Sequence, residues 1–210
     1  MNKIKGTGVA LITPFNEDFS IDYASLEKLI NHQIDGAIDY LVVMGTTGES
    51  VVLSKSEKRE VVDFCKKINA GRLPIILGLG SNDTFALVEE IKSTEFDGID
   101  AVLSVSPYYN KPTQEGIYLH YKMIAEVCPL PIILYNVPGR TASNISAETT
   151  LRLANDFENI VAVKEASGDL QQIAEIIEKR PANFLVLSGD DGLTPKMIAM
   201  GGDGVIAVIG

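Results

Sequence analysis

The sequence predicts an α/β fold of the (β/α)8 TIM-barrel class, with residues 1–210 forming one domain. Three observations point there. Short β-branched runs alternate with amphipathic stretches along the whole chain, the runs number eight, and each is nearly continuously apolar, as parallel strands covered on both faces are. An open doubly wound sheet is the alternative that the same alternation allows.

In order, the strand runs are "GVALITP" (8–14), "YLVVMGT" (40–46), "PIILGLG" (74–80), "AVLSVSP" (101–107), "PIILYNVP" (131–138), "IVAVKEA" (160–166), "FLVLSGD" (184–190) and "GVIAVIG" (204–210). Helical signals lie between them. After the first run, Ile21, Leu26, Leu29, Ile30 and Ile34 share one stripe, with Ser20 or Asp22 available as cap. After the second, Ser54 and Glu57 have capping-box spacing, and Gly71 marks the end. Ser146 opens another helix in the same manner. No linker, low-complexity tract or long like-charge run divides the chain. The chain as given stops at Gly210, at the end of the eighth run. A barrel ending there lacks its last helix, so the sequence is expected to be part of a longer protein.

A formal charge of −10 argues against nucleic acid or an anionic membrane as partner, since both need a basic face. No run approaches the length of a bilayer span, and the first residues lack a cleavable leader pattern, so a cytoplasmic protein acting on small molecules is expected. Cys65 and Cys128 have no CxxC spacing and no histidine pair nearby, which predicts free buried thiols and no metal site.

In a barrel, reacting groups come from the C-terminal ends of strands and the loops that follow. Those ends carry Thr13, "GTTGES" (45–50), "SPYYNKP" (106–112), "YNVPGRT" (135–141), Lys164 and "SGDDG" (188–192). Lys164 shares a strand face with the small Ala162 and Ala166, which leaves room for a substrate. Desolvated there, its amine would be a nucleophile toward carbonyls. Paired with a carboxylate, it would be a structural charge; Glu165 is disfavoured as that partner because adjacent strand residues point to opposite faces. "GTTGES" is either a cradle of N–H groups and hydroxyls for a carboxylate or only a turn. The tyrosines suit proton transfer or packing, and Arg140 suits a bidentate grip on a carboxylate. Asp190 and Asp191 suit acid–base work or capping, and His32 and His120 read as surface or packing residues.

"GTTGES", "SPYYNKP", "YNVPGRT" and "VAVKEASGD", in this order on eight βα units, closely resemble the dihydrodipicolinate synthase / N-acetylneuraminate lyase family of class I aldolases. The resemblance spans the chain from "GVALITPF" to "GVIAVIG". It implies a Schiff base between Lys164 and pyruvate, with Thr47 and the Thr46 backbone holding the pyruvate carboxylate. Tyr135 would relay protons, hydrogen-bonded to Thr46 and to Tyr109 of a neighbouring subunit, while Gly189 and Ile206 line the pyruvate pocket. Arg140 points to the branch that condenses pyruvate with L-aspartate 4-semialdehyde in lysine and diaminopimelate biosynthesis, binding the semialdehyde carboxylate. The alternative is a sister lyase of N-acetylneuraminate or a 2-keto-3-deoxy sugar acid, or a non-catalytic barrel fragment. No cofactor is implied. The resemblance further implies a homotetramer built as a dimer of dimers, and a C-terminal helical region that this chain does not include. Ser50, Asn82 and Tyr108 match the pocket where inhibited members bind lysine. Lys55, Lys58 and Ala86 stand where those members carry two histidines and a glutamate, which predicts weak inhibition by lysine.

Overall fold

A computed structural model describes residues 2–209. Eight parallel strands close in sequence order into a barrel: β1 Gly6–Ala10, β2 Tyr40–Val43, β3 Ile75–Gly78, β4 Ala101–Val105, β5 Ile132–Asn136, β6 Ile160–Glu165, β7 Leu185–Ser188 and β8 Gly204–Ala207. The pairing of β8 with β1 completes the ring and excludes the open sheet. Around it run α1 Tyr23–Asp35, α2 Lys55–Asn69, α3 Thr84–Ser93, α4 Gln114–Val127, the short α5 Pro138–Thr141, α6 Ala147–Asp156, α7 Leu170–Lys179 and α8 Thr194–Ala199. Among the described residues no helix follows β8, and no helix is long and apolar enough to cross a membrane.

All eight expected strands are present, most of them shorter than their apolar runs. β1 starts earlier than expected, at Gly6, where it meets Gly204 of β8. β2 stops at Val43 because Met44 turns the chain with φ 61. β5 stops at Asn136 because Pro138, the last residue of the expected strand run, instead opens the short helix α5. Gly210, expected at the end of the eighth strand, lies outside the described residues. The helix starts follow their caps. Asp22 accepts from Ser25 N at 3.0 Å, Ser54 and Glu57 form the reciprocal box, and Ser146 accepts from Thr149 N.

Strand alternation sorts side chains into two cores. Leu41, Val43, Leu134, Val163 and Val186 face the helices. Tyr40, Val42, Ile133, Ala162, Leu187 and Ile206 fill the lumen, and Ile4 of the N-terminal turn joins them. Gly8 makes room for Tyr40: a Cβ on it would lie 1.9 Å from the Tyr40 ring. The Tyr40 hydroxyl then crosses the lumen to donate to Val205 O at 3.1 Å.

Three aspartates fasten the N-terminal end of the barrel. Asp39, Asp100 and Asp203 each precede an even-numbered strand and accept the N–H of a residue in an odd-numbered neighbour. The donors are Thr7 at 2.7 Å, Ile75 at 3.0 Å and Val186 at 3.0 Å. Lys3 pairs with Asp100, while Lys5 and Arg180 pair with Asp203. Hydrogen bonds to a charged acceptor are worth about 1.5–3 kcal/mol each. The opposite end is thereby left to irregular loops.

Candidate active site

At the C-terminal end of β6, strand parity points Lys164 into the lumen and Glu165 outward, as the sequence predicted. Lys164 is 5% exposed, and among the described residues its amine has neither an ion pair nor a hydrogen bond. Its nearest aromatic contact is the Tyr135 ring, with Nζ 4.5 Å from the centroid. Tyr135 is its register partner on β5. Burial lowers the amine's pKa to about 8; Asp191 opposes that fall and Arg140 adds to it. No ion pair thus holds the amine as the structural charge that the sequence left open, and burial favours its neutral form.

Tyr135 is 7% exposed, and burial raises its pKa, with Arg140 acting against that shift. Its side chain lines a cavity of about 820 Å³ that opens at the C-terminal mouth, shared with Thr46 and Arg140. Lys164 and Gly189 do not line it; the cavity meets the amine through Tyr135. Gly189 packs onto Lys164 instead: a Cβ there would lie 2.9 Å from Lys164 Cε and from Ala166 Cβ. Ile206 is fully buried in the lumen.

"GTTGES" folds as a 3-10 turn over Thr46–Gly48, held by the Thr13 hydroxyl donating to Gly48 O at 2.6 Å. Gly48 and Glu49 N–H close the turn, whereas no backbone carbonyl takes the N–H of Thr46 or Thr47 among the described residues. Two free donors thus open the turn, as a carboxylate cradle requires. One expected contact is missing. The Tyr135 hydroxyl makes no hydrogen bond to Thr46 among the described residues, although both residues line the same cavity.

Tyr109 turns away from this mouth. It is 82% exposed at φ 76, a left-handed conformation that costs a bulky residue roughly 1–3 kcal/mol. Ser50 and Tyr108 line the outer part of the cavity together with Lys55, Lys58 and Ala86, and Asn82 holds Tyr108 by donating to its carbonyl at 3.3 Å. Asp190 caps the turn before α8 through Gly192 and Leu193 N–H, while Asp191 accepts from Val208 N at 3.3 Å. Both cysteines are free and buried. His32 is exposed; His120 is buried with Nδ1 2.8 Å from the Thr84 hydroxyl.

Sequence reasoning missed the polar cluster behind the site. Asn136, Asn144, Gln172 and Glu165 form one hydrogen-bonded group on the outer side of β5 and β6. The only sequence signal was an Asn and a Glu, Asn136 and Glu165, at the last positions of two largely apolar strands.

A closed parallel barrel with an unpaired, desolvated lysine at its C-terminal mouth is the architecture of class I aldolase-type lyases, which work through the lysine amine. The match to protein families narrows this. Residues 3–210 match the dihydrodipicolinate synthetase family, and the chain belongs to that family. It is 57% identical over 210 residues to a 4-hydroxy-tetrahydrodipicolinate synthase of Flavobacterium psychrophilum, covering all of this chain and 72% of that one. A synthase of the same name from Parabacteroides distasonis is 56% identical over 207 residues, covering 99% and 70%. Among solved structures, dihydrodipicolinate synthase from Aquifex aeolicus superposes with a TM-score of 0.92 at 45% identity, covering 98% of this chain and 70% of that one.

Proposed function

We propose that the chain carries the activity its relatives are named for, condensing pyruvate with L-aspartate 4-semialdehyde to 4-hydroxy-tetrahydrodipicolinate on the route to diaminopimelate and lysine. The observation that carries this is the Lys164 amine, buried without a counter-ion against Tyr135, with Arg140 at the same mouth. Neutral Lys164 Nζ attacks the pyruvate keto carbon, and loss of one water gives the imine. The pyruvate carboxylate sits on Thr47 and the N–H groups that open the Thr46 turn. Removal of a methyl proton, relayed by Tyr135, gives an enamine whose carbon attacks the aldehyde of the semialdehyde. Arg140 holds that substrate's carboxylate. The substrate's own amine then attacks the imine carbon and releases Lys164, closing the ring.

The same reading makes Tyr109 a residue of the partner's site in a dimer, two dimers forming a tetramer in the cytoplasm. Its exposure supports this, since an 82% exposed tyrosine side chain is free to enter a partner's site. Lys55 and Lys58 beside Ser50 and Tyr108 place positive charge near a cationic inhibitor and Ala86 offers it no anion, against the acidic Asp63, Glu89, Glu90 and Glu95 elsewhere in the same cavity. L-lysine at millimolar concentration should therefore leave turnover nearly unchanged in a pyruvate-condensation assay, and strong inhibition would contradict this assignment.

Incubation with pyruvate and borohydride, followed by intact mass and peptide mapping, tests the central step. An adduct on Lys164 is expected, and its absence would remove the proposal. Condensation assays with aspartate semialdehyde, N-acetylneuraminate and 2-keto-3-deoxygluconate then separate the synthase from the sister lyases.

A further inference from the structure

Next to Lys164 in the chain stands a carboxylate that this chemistry does not use. Glu165 is fully buried on the outer face of β6, with no cation paired to it among the described residues. Both of its oxygens meet donors only. Asn136 Nδ2 lies 3.1 Å from each, Ser167 N 2.8 Å from Oε1 and Gln172 Nε2 3.0 Å from Oε2. Burial, the larger influence, raises the carboxyl's pKa, while these donors and the Ser167 hydroxyl work against that rise and favour the ionised form. Keeping an uncompensated buried charge is costly. What the cage fastens supplies the reason for it.

It joins the segments that carry the proposed site. Asn136 directly follows Tyr135, and its Oδ1 accepts from Ile145 N at 2.9 Å while its Nδ2 donates to Asn144 Oδ1 at 2.8 Å, pinning the loop that follows Arg140. The Glu165 carbonyl accepts from Gly189 N at 2.9 Å, and the Asn136 carbonyl accepts from Ala166 N at 2.8 Å. We infer that Glu165 is a positioning residue: its caged carboxylate fixes the ends of β5 and β6 so that the Lys164 amine is held against Tyr135. A carboxylate serves better than an amide because it only accepts, which orients the Asn136 and Gln172 amides one way, with hydrogen bonds about twice as strong as neutral ones. This inference rests on Lys164 being the nucleophile.

The test is the rate of borohydride-trapped pyruvate adduct against pH, in protein whose far-UV circular dichroism matches wild type. Glu165→Gln should trap roughly 10–100-fold more slowly, the loss expected for a misplaced reacting group. Its pH midpoint should rise from about 8 toward the ordinary lysine value of 10.5 as the amine leaves its dry site. Gln172→Leu removes one donor from the cage and should shift rate and midpoint the same way by less, which decides the matter if Glu165→Gln does not fold. Wild-type trapping in folded Glu165→Gln, or in Gln172→Leu should only that variant fold, would overturn the inference. So would a midpoint that falls, since that marks loss of a nearby anion with the amine still in place. A wild-type chain that forms no adduct would instead refute the role of Lys164.

Discussion

Replacing Lys164 with methionine should stabilise the fold while abolishing the adduct. Methionine fills much of the volume of the lysine stem and carries no charge into the lumen. The amine's value of about 8 in the barrel, against 10.5 ordinarily, corresponds to a penalty of about 3 kcal/mol for the charged form. At pH 7 the amine is protonated in both folded and unfolded chains, so the folded protein bears that penalty in full. Between about pH 8 and 10.5 the unfolded chain binds the extra proton, so wild-type stability rises through this window and the penalty vanishes above it. Lys164→Met should therefore exceed wild type by up to about 3 kcal/mol at pH 7, with the gap narrowing above pH 8. The chain has no tryptophan, so urea unfolding is best followed by far-UV circular dichroism. Other groups titrate alike in both proteins, and the difference isolates residue 164. A variant no more stable than wild type at pH 7, or a gap that persists to pH 10.5, would refute the account of a desolvated, unpaired amine.

Tyr135→Phe should still form the adduct with pyruvate but turn over about 10²–10⁴-fold more slowly, the usual contribution of a general acid–base group; unchanged turnover would exclude the proton relay. Arg140→Ala should raise KM for aspartate semialdehyde while leaving borohydride trapping of pyruvate near wild type, and equal losses for both substrates would count against its assignment to one of them. His120, whose pKa burial lowers to about 4, should make the fold acid-sensitive. Below about pH 6.5 the unfolded imidazole takes a proton that the folded one refuses, so stability falls from there to about pH 4, by up to about 3 kcal/mol. His120→Gln should flatten that part of the pH–stability curve, and a curve as steep as wild type would assign the acid sensitivity to other groups.

Strand number and order were legible in eight nearly pure apolar runs alternating with amphipathic stretches, and the inward aim of Lys164 in the two-residue period of a strand. Parity alone separated Lys164 from Glu165, and the structure agrees. What could not be read were contacts between distant segments. Glu165, Asn136 and Gln172 are ordinary polar residues in sequence, and only barrel closure brings β5, β6 and α7 together around one carboxylate. The Asp39, Asp100 and Asp203 fastenings were hidden for the same reason, since each joins residues on neighbouring strands. Apolar runs overstated most of the strands because the β region is left wherever the chain must turn at the mouth, as at Met44.

The two ends of this barrel differ in kind. Charged fastenings secure closure at the base, where Ala37 and Ala70 also hold left-handed backbones, whereas Met44, Glu49, Tyr109, Lys111 and Ala142 hold them in the loops of the other end. A barrel whose ring is secured far from its reacting groups can bear strained loops without opening. Substitution at the base would loosen closure itself, whereas the loops of the rim can be rebuilt on an unaltered frame.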